Sequence, residues 1–239
     1  MGATADQALT TSQAPDNAGA EPTVVERAAQ IIKPKLRGWL HTGMTPLVFL
    51  AGLVLLVATP TVGGRAAVAV YLLSSLMLFG NSAVYHRGRW TDSVTALLRR
   101  IDHANIFIFI AGTYTPLSVQ LLEGRSRVIL LTLIWTAAAA GVLFRVLWMS
   151  APRWLYTALY ILMGWAALGW LPQFWANGGP LVVALVVLGG LIYSLGALVY
   201  ARKRPNPSPR WFGFHEIFHA ATVLAALCHF AAICVATFN

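Results

Sequence analysis

Seven apolar stretches, each close to the length of a membrane crossing, dominate this chain and leave few folds open to it. They run roughly over 42–60, 66–87, 102–122, 128–148, 154–172, 180–201 and 214–238. A helix needs about 20 apolar residues to cross a hydrocarbon core of about 30 Å, and without water every backbone polar group must be satisfied within the segment. Each stretch is bounded by Pro, Gly, Arg or Lys, as membrane helix ends usually are. Only 10% of residues are charged and 58% are hydrophobic, against about 25% charged in a soluble domain. The pattern predicts an all-α, polytopic protein of the cell membrane, a seven-transmembrane-helix bundle forming one domain over 33–239. Residues 1–32 hold no apolar run and read as a disordered polar tail, without the apolar region of a signal peptide. Val24 to Leu40, with Arg27, Lys33, Lys35 and Arg37, reads as a short amphipathic lead-in at the headgroup zone.

Charge predicts the orientation. With seven crossings, all but three of the 17 basic residues (Arg65, Arg125 and Arg127) fall on one side. The positive-inside rule places that side, and the N-terminus, in the cytoplasm and the C-terminus outside. Topology and anionic lipid account for the net charge of +9, so membrane lipids, and no nucleic acid, are the expected partners. Small residues suited to helix packing recur through spans four to six and leave the oligomeric state open. Cys228 and Cys234 sit on different faces of one helix, which excludes a disulfide between them.

The same topology gathers the polar residues of the spans. Span two ends at Ser82 and His86, span three begins at Asp102 and His103, and span seven begins at His215-Glu216-Ile217-Phe218-His219. Positions i and i+4 of a helix share a face, so His215 and His219 can bind one metal ion, as in the His-Glu-x-x-His zinc pattern. His86, Asp102, His215 and His219 fall at one membrane depth on three helices. Three imidazoles and a water make a tetrahedral zinc site with an open position. Ionisable groups within a membrane are expensive to keep, and functional roles are the usual reason for them. His41 and His103 read as interfacial residues or supporting donors. His229, ten residues past His219 and about 15 Å further along the helix, reads as a buried, hydrogen-bonded histidine elsewhere. Pro116 cannot donate to the Gly112 carbonyl and predicts a packing kink there.

The pattern admits other chemistries. An intramembrane metalloprotease also uses His-Glu-x-x-His, with the glutamate as base, but no Asp-Gly ligand motif lies in another span. A receptor, sensor or cytolysin with a purely structural zinc is the non-enzymatic alternative, and a structural site would be closed.

Ser82-x-x-x-His86, Asp102-His103 followed by Gly112-Thr113-Tyr114-Thr115-Pro116, and His215-Glu216-x-x-His219 together resemble the hemolysin III family. That family is the bacterial branch of the progestin and adipoQ receptors, in a larger group with alkaline ceramidases. Lys33-Pro34-Lys35-Leu36-Arg37-Gly38-Trp39-Leu40-His41 also resembles its lead-in, and the likeness covers about residues 33 to 238. It implies a seven-helix bundle with Zn2+ near the cytoplasmic face, held by His86, His215 and His219. Asp102 would hold or activate the zinc-bound water, with Ser82 beside it. The wider group implies zinc-dependent hydrolysis of lipid amides such as ceramides, and hence a lipid-like substrate. The cytolysis in the family name does not follow from these residues. Zinc would polarise the carbonyl and activate water, Asp102 would serve as general base, and Ser82 would donate to the developing oxyanion.

Overall fold

A computed structural model describes residues 34–239. The polar tail expected over 1–32, and the first part of the lead-in, lie outside the described residues. The described chain is all-α. Its helices are α1 Trp39–Ala58, α2 Val62–Arg87, α3 Asp92–Leu121, α4 Gly124–Leu147, α5 Arg153–Gly164, α6 Leu171–Arg202 and α7 Phe214–Phe238, with a 3-10 segment, Ala166–Trp170, between α5 and α6.

Six helical stretches among the described residues, not seven, are long and apolar enough to cross a membrane. The expected spans over 154–172 and 180–201 fall within one 50-residue helical stretch, Arg153–Arg202. Its first part, α5, has only 12 residues, about 18 Å of helix, which is too short to cross a core of about 30 Å by itself. The chain then tightens into the 3-10 segment and resumes as α6, with a break in helical geometry at Gly179 (φ 77°) beside Pro180. A hydropathy pattern counts apolar residues and does not register such interruptions. The stretch doubles back, for Arg153 Nη1 donates to the Tyr200 carbonyl at 3.2 Å and Trp165 Nε1 to Ser194 Oγ at 2.9 Å. An outside C-terminus requires an odd number of crossings, which the six spans do not provide.

What remains is a polytopic, multi-pass membrane protein whose outward side chains suit lipid. Leu47, Val54, Val57, Leu143, Leu147 and Leu195 are large, apolar and exposed, a surface that a soluble protein would bury. The centre belongs to α3, which packs against α2, α4, α5, α6 and α7. Every residue from 111 to 118 is buried, because small residues there let neighbouring helices approach closely. At Gly112 an added Cβ would run into Ser74 of α2, and at Gly141 of α4 it would run into Phe107 of α3. The helix continues through Pro116 to Leu121. This central helix carries Asp102 near one end of the bundle, where α2 ends and α7 begins.

Candidate metal centre

Each histidine of the candidate cluster is placed by a helix end. His86 occupies the last turn of α2 and is buried there, with Ser82 one turn earlier and also buried. His215 and His219 lie in the first two turns of α7, on one face by their i and i+4 spacing. Glu216 fixes where that helix starts, since its Oε2 accepts from the Gly213 N–H at 2.8 Å. This is the one half of a capping box that a glycine N-cap permits. Arg37 Nε holds the other carboxylate oxygen in a salt bridge. The segment before α1 is bound to the same loop through Lys35 N–H to the Arg210 carbonyl at 3.0 Å and Leu36 N–H to Trp211 at 3.3 Å. The lead-in therefore clamps the start of α7, a role its basic residues did not announce.

The structure brings the three expected imidazoles together. His86, His215 and His219 offer ligand atoms all within 4.8 Å of one another. His86 Nε2 and His215 Nε2 are 3.3 Å apart. Two nitrogens bound to one tetrahedral zinc at about 2.0–2.1 Å lie about 3.3–3.4 Å apart, so the pair has the spacing a shared ion requires. Imidazoles on a largely buried face are donors that zinc favours, and the residues fit the ion. Asp102 Oδ2 stands 4.0 Å from His86 Nε2, and the Ser82 hydroxyl faces that carboxylate. Thus Ser82, His86, Asp102, His215 and His219 share one locus.

The other histidines separate. His103 Nδ1 meets the Arg99 carbonyl at 2.8 Å and Nε2 the Tyr200 hydroxyl at 3.5 Å, so it turns from the triad. His229 is in the deeper part of the bundle, with Nε2 3.2 Å from the Val186 carbonyl, as its distance along the helix implied. His41 is closer to the centre than an interfacial residue would be. It is buried, stacks on His219 with centroids 3.9 Å apart and planes 10° apart, and neither of its ring nitrogens has a hydrogen-bond partner among the described residues. The backbone supports this contact, because Gly38 adopts φ 82° one turn earlier and lies against His86, where an added Cβ would come within 2.6 Å of the His86 Cβ. A glycine is needed there for both conformation and space. The capping role of Glu216 was missed in the sequence, although a glutamate three residues after Gly213 at the head of an apolar run was a signal that could have found it. Nothing local identified Arg37 as its partner.

A cavity of about 100 Å³ opens beside the triad. His41, Ser82, Asp102 and His219 line it, and apolar groups such as Ile106, Phe109 and Phe218 make up most of the rest. Such a space has the character of a ligand pocket, with a few convergent polar groups in an apolar wall.

The chain is similar to known sequences over most of its length. The sequence model of a family described as Haemolysin-III related matches residues 29–230. The chain is 29% identical over 189 residues to the "Hemolysin-3 homolog" of Bacillus subtilis (strain 168), covering 77% of this chain and 88% of that protein. It is also 29% identical over 193 residues to the "Hemolysin-3" of Bacillus cereus, covering 79% and 88%.

Proposed function

This chain belongs to the haemolysin-III-related family, and on that premise we propose that it is a zinc-dependent hydrolase of lipid amides working near the cytoplasmic end of the bundle. The observation that carries the reading is the meeting of three imidazoles, Asp102 and Ser82 at the wall of an apolar cavity. His86, His215 and His219 would hold the ion, which supplies Lewis acidity toward a carbonyl and toward water. The apolar wall receives the acyl chain and so directs the amide to the polar end. Asp102 takes the proton from the attacking water and passes it to the leaving amine. Ser82 donates a hydrogen bond to the carbonyl oxygen as negative charge builds there. Basic residues gathered at this end, among them Arg37, Arg87, Arg99 and Arg153, support the cytoplasmic assignment.

Glu216 argues against an intramembrane metalloprotease. Its two carboxylate oxygens are engaged by Arg37 and by the Gly213 N–H, so it is not poised as the base that chemistry needs. The test is zinc content together with turnover of N-acyl lipids, wild type beside Asp102→Asn. Zinc retained and hydrolysis lost in the variant is the expected result. Equal hydrolysis by both proteins would refute the role of Asp102, and a metal-free wild type would refute the mechanism.

A further inference from the structure

The cavity beside the candidate metal centre runs on into the bundle, and its deep end carries a second polar pair. Ser82, Asp102 and His219 line one part of it, and Tyr193 of α6 and His229 of α7 line another. His229 follows His219 by ten residues, about 15 Å along the helix axis. Among the described residues, the Tyr193 hydroxyl and His229 Nδ1 are buried atoms without a hydrogen-bond partner. Their rings lie together, with centroids 5.6 Å apart. Other polar groups on this part of the wall are engaged. Thr113 donates to the Phe109 carbonyl and Tyr114 to the Gly164 carbonyl. Trp165 donates to Ser194, which in turn donates to the Gly190 carbonyl.

The two leftover atoms are complementary to one chemical group. His229 Nε2 lies 3.2 Å from the Val186 carbonyl, which can only accept. A neutral imidazole therefore keeps its hydrogen on Nε2 and offers Nδ1 as an acceptor. Tyr193 is left with a hydrogen to donate. The backbone makes room for this ring, since a Cβ added at Gly189 would come within 2.5 Å of His229 Nε2. A buried donor and a buried acceptor left unpaired in an apolar interior are costly. A hydroxyl satisfies both, accepting from Tyr193 and donating to His229. The space also continues past the pair. A smaller cavity of about 30 Å³ shares Thr113, Trp165 and His229 with the first and is lined further on by Leu117, Leu171 and Phe174. An apolar chain can extend there, so the hydroxyl belongs along a chain and not at its end.

We infer that Tyr193 and His229 form a subsite for a hydroxyl carried partway along the acyl chain of a lipid seated in the cavity. On the hydrolase reading, on which this refinement rests, the substrate class narrows to amides of hydroxylated long-chain fatty acids. An extended chain advances about 1.2 Å per bond, a third of the span of one extended residue. With the carbonyl at the metal centre, about 15 Å of chain puts the hydroxyl about twelve bonds further on.

The experiment is calorimetric titration of the purified full chain in neutral detergent with three free acids: octadecanoic, 12-hydroxyoctadecanoic and 6-hydroxyoctadecanoic acid. These are acyl products of the proposed reaction and are not consumed, so binding is read whether or not an amide is turned over. The 12-hydroxy acid should bind about tenfold tighter than octadecanoic acid, for the two hydrogen bonds it makes, and the 6-hydroxy acid no tighter. Tyr193→Phe should abolish that preference while leaving octadecanoic acid binding and zinc content as in wild type. It should also melt no lower than wild type, because it removes an unpaired buried hydroxyl. His229→Phe should likewise abolish the preference with zinc retained. Equal affinity for the 12-hydroxy and unsubstituted acids in wild type, or a preference that survives both substitutions, would overturn the subsite. So would an equal gain from the 6-hydroxy acid, or a lower melting temperature in Tyr193→Phe, which would mean the hydroxyl is already bonded. Failure of the hydrolase reading shows itself separately, as a wild type that keeps the preference but hydrolyses no amide.

Discussion

Arg37→Ala should be among the most damaging single changes outside the three histidines. Glu216 is 1% exposed, and the Arg37 side chain 19%, so the substitution leaves a buried carboxylate with only the Gly213 N–H as partner. Breaking a buried pair by removing one member destabilises by about 3–5 kcal/mol, whereas an exposed pair contributes only about 0–1 kcal/mol. The partial exposure of Arg37 lets water reach the site and sets the expectation at the lower end, about 3 kcal/mol. For a chain of this size that corresponds to a melting shift of roughly 6–12 °C. Since Glu216 sets the first turn of α7, the loss should also weaken zinc binding at His215 and His219 by about tenfold or more. Removing both charges tests the mechanism. Arg37→Met combined with Glu216→Gln should recover much of the loss, because the glutamine still accepts from Gly213 and no charge is left buried. The assay is thermal unfolding in detergent with zinc content measured on the same samples. A shift in Arg37→Ala of the size expected for a surface pair, or a double variant as unstable as the single, would refute the argument.

Alanine at His86, His215 or His219 should each abolish stoichiometric zinc binding, read by elemental mass spectrometry, because two imidazoles cannot supply the three-ligand set. By contrast, His229→Phe should leave zinc content unchanged, since His229 bonds to Val186 in the deeper part of the bundle. Gly38→Ala should destabilise by about 1–2 kcal/mol from the left-handed backbone alone, and by more because its Cβ would meet that of His86. Its melting temperature should therefore fall together with its zinc affinity. Asp102→Asn should keep zinc and lower turnover of an N-acyl lipid by about 10²-fold or more, the scale of a lost general base.

The membrane class, the apolar stretches and the pairing of His215 with His219 were legible because each rests on a local rule. Hydropathy over twenty residues, and a helical period that brings i and i+4 to one face, operate within a single segment. The meeting of His86 and Asp102 with the α7 histidines was expected from seven alternating crossings, but the structure reaches it by another route. The single stretch Arg153–Arg202 doubles back on itself and returns the chain to that end before α7 begins. The number of full-length crossings did not follow, because the chain from Arg153 to Arg202 is apolar throughout while its helix stops and restarts near Gly164 and bends at Gly179.

The partners of individual side chains were decided by the tertiary structure alone. Glu216 belongs to the zinc pattern by spacing, yet 179 positions separate it from Arg37, the residue that engages it. His41 looked interfacial until α1 placed it flat against His219, and Arg145 was one more basic residue at a helix end until α5 covered it with Tyr156. Local sequence dictates which face of a helix a residue occupies and at what depth. Which distant group meets it there depends on how the helices pack, and hence on close contacts such as Gly38 on His86 and Gly112 on Ser74 that no single segment contains.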